Sequence, residues 1–99
     1  MSYRPAKFTA TEEGPLSILK LAPGFKSWSC VLLGPSSPAA TVLVEGSSDG
    51  THWTTLATLS LTATGEVDTA VTEESYLNHR FNVTSLTGAG TRVLLSVSF

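Results

Sequence analysis

Asp49 and His52 stand three residues apart in a turn-forming stretch and are the nearest thing in this chain to a reactive pair. A carboxylate and an imidazole at that spacing could share a proton or give two ligands to a divalent metal. Two ligands from one turn fall short of a metal site, so both read better as turn and strand positions. The second histidine, His79, falls on the inward parity of its strand beside Phe81. That placement suits a hydrogen-bonded residue of a core or an interface.

The carboxylates Glu45, Asp49, Glu66, Asp68, Glu73 and Glu74 raise the question of an acid/base pair for glycoside hydrolysis. Glu66 and Asp68, like Glu73 and Glu74, sit in polar, turn-rich segments, where solvated surface is the better reading. A structural calcium site in such loops is a more natural use of them than catalysis. Cys30 is the single cysteine, so it can form no disulfide within the chain. It lies in an apolar run with no adjacent base or cation and reads as a small buried hydrophobe. Trp28 and Trp53 fall on inward parity, whereas Tyr76 starts a strand on its outward side and Tyr3 lies in the N-terminal segment. No Gly-x-Ser-x-Gly elbow, phosphate loop or His-Glu-x-x-His run occurs. The expectation is a protein that is not an enzyme, with no catalytic residue, no cofactor and no metal.

The elements that carry these residues read as strands. Val42, Val44 and Gly46 alternate with Leu43 and Glu45, Ser47-Ser48-Asp49-Gly50 supplies turn chemistry, and Trp53, Thr55 and Ala57 restart the alternation. This is a β-hairpin. Leu16–Leu21 and Phe25–Leu33 precede it, the latter apolar on both faces and therefore central. After it, Leu59, Leu61 and Ala63 continue the alternation, and Glu66–Val71 forms a short strand. Thr72–Ser75 makes a helical turn or a loop. Tyr76–Ser85 follows with Leu77, His79, Phe81 and Val83 inward. In Thr91–Phe99, Val93, Leu95, Val97 and Phe99 share one face. Turn signals recur every 8–12 residues or so, the spacing of antiparallel all-β domains. The expected fold is all-β: a single antiparallel β-sandwich, jelly-roll or immunoglobulin-like, of seven to eight short strands.

Residues 1–15 read as a polar N-terminal arm, with a short edge strand around Lys7–Ala10, and residues 16–99 as the sandwich domain. Ordering such an arm costs roughly 1–2 kcal/mol per residue in backbone entropy. It is therefore expected to lie across a neighbouring subunit or to stay disordered in the isolated protein.

Composition narrows the partners. Of 99 residues, 14% are charged, against roughly 25% in ordinary soluble domains, and 14 Thr and 13 Ser fill the gap. Few charges leave the surface prone to association, which hints at a place within an assembly. The formal net charge is −2 and the six basic residues are scattered, which argues against nucleic acid as a partner. No apolar run approaches the ~18 residues of a membrane-spanning helix, and the first residues lack a secretory h-region. Synthesis in the cytoplasm and no membrane partner are the expectations.

Two stretches together bear a resemblance. Val44-Glu45-Gly46-Ser47-Ser48-Asp49-Gly50-Thr51-His52-Trp53, followed by Tyr76-Leu77-Asn78-His79-Arg80-Phe81-Asn82-Val83-Thr84-Ser85-Leu86-Thr87-Gly88, resembles small β-sandwich virion structural proteins of tailed bacteriophages. The resemblance implies a decoration or cement protein that stabilises a capsid by multivalent docking. It also implies a location in the virion after synthesis in the host cytoplasm. Its partners would be the major capsid protein or other virion proteins, and it would form a homo-oligomer, trimer or dimer. A small tail or adaptor component is the neighbouring alternative. The hairpin alone also resembles discoidin-like sugar-binding sandwiches, so a carbohydrate-binding module for host adsorption is a further one. The residues expected to make interactions are Tyr3, Arg4, Phe8, Tyr76, Arg80 and Phe99.

Overall fold

Nine β-strands and no helix make up the described residues, which are 5–22, 24–73 and 76–99 of a computed structural model. In chain order the strands are β1 (Pro5–Ala10), β2 (Gly14–Pro15), β3 (Leu19–Lys20), β4 (Lys26–Leu33) and β5 (Ala39–Ser47). They continue with β6 (Thr54–Leu61), β7 (Val67–Thr72), β8 (Asn78–Thr87) and β9 (Arg92–Ser98). One sheet has the order β1-β9-β4-β7 and the other β2-β8-β5-β6, with β3 also pairing β8. Every pairing is antiparallel.

With β2 and β3 counted as one interrupted strand, the first strand pairs with the last, the second with the second last, and so inward to the β5–β6 hairpin. The chain is thus one long ribbon rolled into two layers. Alternation sends one side of each strand between the layers. Trp28, Cys30 and Leu32 of β4 and Val93, Leu95 and Val97 of β9 are at most 1% exposed. They face Val42 and Val44 of β5, Leu59 and Leu61 of β6, and Phe81 and Val83 of β8. Trp28 joins the layers: its ring meets Phe81 edge-on at 5.2 Å between centroids, and its indole N–H donates to Thr72 Oγ1 at 2.8 Å. The accessible surface is 5466 Å², close to the ~5,400 Å² expected of a monomeric protein of this mass. The sandwich therefore closes its core within one chain.

Residues 5–15 correct the expectation of a separate arm. Lys7–Ala10 was expected to form a short edge strand; the strand runs from Pro5 and pairs with β9 through six residues, Pro5 opposite Ser98 to Ala10 opposite Val93. Ala10 is 3% exposed, and Phe8 packs its ring on Phe81 at 6.1 Å. Six ladder pairs and two packed side chains hold this segment to its own chain. Met1–Arg4, with Tyr3 and Arg4, lie outside the described residues.

Three one-residue irregularities account for the remaining departures from simple alternation. Val44 pairs with Ala57 but Glu45 with Thr55, so Leu56 is an extra residue on β6. Beyond it the parity flips: Leu56 packs against the core, and Trp53 and Thr55 turn to the outer face. Trp53 was expected in the core. On β8, Thr41 pairs with Ser85 and Val42 with Val83, leaving Thr84 extra and bringing Leu86 inward. Between Pro15 and Leu19 the chain has four steps where its partner, Asn82 to His79, has three. That bulge separates β2 from β3, so that only Leu19–Lys20 of the expected strand Leu16–Leu21 is strand, while Leu16, Leu19 and Leu21 all stay against the core. Among the described residues the strands number nine, against the expected seven to eight, for this reason and because β1 belongs to the sheet. Leu77, expected inward, precedes β8 and is 54% exposed. Phe99, expected to continue the inward set of β9, lies past its end and is 38% exposed.

Candidate functional site

The loop after β5 is held by one carboxylate. Asp49 Oδ1 accepts from the Thr51 and His52 amides at 2.8 and 2.9 Å and from Ser47 Oγ at 2.9 Å, while Oδ2 meets His52 Nδ1 at 2.7 Å. These donors, the His52 amide first, hold the Asp49 carboxyl well below the usual carboxylate range. Gly50 takes φ +78°, and its amide donates to Ser47 Oγ at 2.9 Å. Asp49 and His52 thus form an exposed turn lock. Among the described residues no group of three His, Cys, Asp or Glu is placed to hold a metal ion.

Beneath that loop, on the outer face of the β2-β8-β5-β6 sheet, the Leu56 bulge creates a second cluster. Glu45 Oε1 accepts from Arg80 Nε at 2.7 Å, and the two side chains are only 9% and 19% exposed. The Arg80 guanidinium stands 4.0 Å over the Trp53 ring, a cation–π contact that also covers that ring face. Asn82 Nδ2 donates to Glu45 Oε2 at 3.4 Å. Arg80, expected to make an interaction, thus makes it within the chain. Tyr76, expected on the outward side, instead packs over Gly46, where an added Cβ would come within 2.7 Å of its ring. Gly46 is glycine because that ring occupies the space above it.

The β6–β7 side of the sandwich is closed by the chain itself. The β6 edge adjoins the β7 edge, and Asp68 Oδ2 accepts from the Ser60 amide at 3.1 Å while Oδ1 accepts from the Thr69 amide at 2.9 Å. Glu66 Oε1 accepts from the Thr62 amide at 3.1 Å. Glu66 and Asp68, expected as solvated surface, are edge caps of the kind that discourages strand addition. On the opposite side the chain bends from β1 into β2, crossing from one sheet to the other, and Glu13 Oε2 accepts from the Leu86 amide at 3.0 Å. Cys30 lies fully inside, its thiol pushed up to about 11 by burial first and the Asp68 charge second.

The outer face of the β1-β9-β4-β7 sheet is open. The registers line its outward residues in rows: Thr9, Leu94, Val31 and Val67 across the four strands, then Lys7, Ser96, Ser29 and Thr69. Ser98, Ser27 and Val71 form the next row. A shallow trough of about 350 Å³ runs between β1 and β9 beside Leu94 and Val31. The charged residues of this face, Lys7 and Arg92, lie on the edge strand and at the end of β9. No sequence signal singled this face out. Its rows come from pairing between residues as far apart as Val31, Val67 and Leu94.

Fold and surfaces together define a two-layered antiparallel β-sandwich with one ion-paired face and one charge-poor face. No protein-family model matches the chain, and no curated relative matches it. Among solved structures, the crystal structure of the SPBc2 prophage-derived protein YomS is similar, with a TM-score of 0.59 over 99% of this chain and 95% of that one. The two are 15% identical, so the likeness is one of fold.

Proposed function

We propose that this chain is a bacteriophage virion structural protein, and within that class a capsid decoration protein. The observation that carries the reading is the charge-poor outer face of the β1-β9-β4-β7 sheet on a sandwich that already closes its own core. A rigid body with one broad, weakly polar face suits docking in many copies, where modest contacts add through effective concentration. The strand pairing supports a jelly roll, an architecture used in viral capsids, when β2 and β3 count as one strand. The fold shared with a prophage-derived protein points toward the same context. A sugar-binding reading draws less support, because Arg80 already occupies a face of Trp53 and Trp28 is fully buried.

The test is the copy number in purified particles of the phage that encodes the chain, by quantitative mass spectrometry. Hundreds of copies per particle support head decoration. Six or twelve would move the protein to a tail or adaptor ring, and absence from the particle would overturn the virion role.

A further inference from the structure

We draw no further inference here: the strongest candidate, the patch of exposed apolar side chains Ile18, Phe25, Val71, Leu77 and Phe99 at the end of the sandwich where β4 and β8 begin and β7 and β9 finish, carries nothing because it is an unpartnered apolar surface and nothing in the structure shows what covers it.

Discussion

Phe8→Ala tests whether the first strand is part of the fold. Phe8 is half-buried on β1, packed against the core, with its ring edge-on to Phe81 at 6.1 Å. Truncating a fully buried phenylalanine costs about 3–5 kcal/mol. For a half-buried ring the corresponding loss is about 2 kcal/mol, with the aromatic pair supplying roughly 0.5–1.5 of it. A domain of this size has a total stability of about 5–15 kcal/mol, so the loss is a substantial share. At roughly 4–8 °C per kcal/mol, Tm should fall by about 8–16 °C. Thermal melts followed by circular dichroism read this directly, and a urea titration should show a lower midpoint with an unchanged slope. Deleting residues 1–10 should cost more than the point variant, because it also strips the backbone partners of β9 from Val93 to Ser98. A Phe8→Ala variant melting within about 2 °C of wild type would refute the reasoning. Residues 5–10 would then be a tether laid on the sheet instead of one of its strands.

Glu45→Ala should lower stability by about 2–3 kcal/mol, because it leaves Arg80 largely buried without its carboxylate. Replacing both partners with Leu and Met should recover much of that loss in a denaturant titration. The Asp49 carboxyl is depressed in the folded protein, so its contribution is complete above the ordinary carboxylate range near pH 4 and fades as pH falls toward its folded value. Asp49→Asn should therefore flatten the acid side of the stability–pH curve; an unchanged acid limb would show that the turn lock carries no stability. Cys30, buried and with its thiol pushed up to about 11, should react with a disulfide reagent at pH 8 only after denaturation. Prompt labelling of native protein would mean that the β4 region opens readily.

Sequence alone determined the local features, because each follows from neighbouring residues. Alternating Trp28, Cys30 and Leu32, or Val93, Leu95 and Val97, defines a strand and its buried side wherever no extra residue intervenes. The Ser47–Gly50 turn is also legible, since Asp49 closes it with donors no more than three residues away. Tertiary structure decided what depends on distant partners. Trp53 lies outside because Leu56 is the extra residue in the β5–β6 ladder, and one inserted residue reverses every side chain beyond it. Leu86 turns inward for the same reason at Thr84. Residues 5–10 gain their place from β9, nearly the whole chain away, and Asp68 becomes an edge cap because rolling the ribbon sets β6 beside β7. The charge-poor face belongs to this second group. It is assembled from four strands that alternation identifies singly, and pairing between residues distant in the chain sets them side by side.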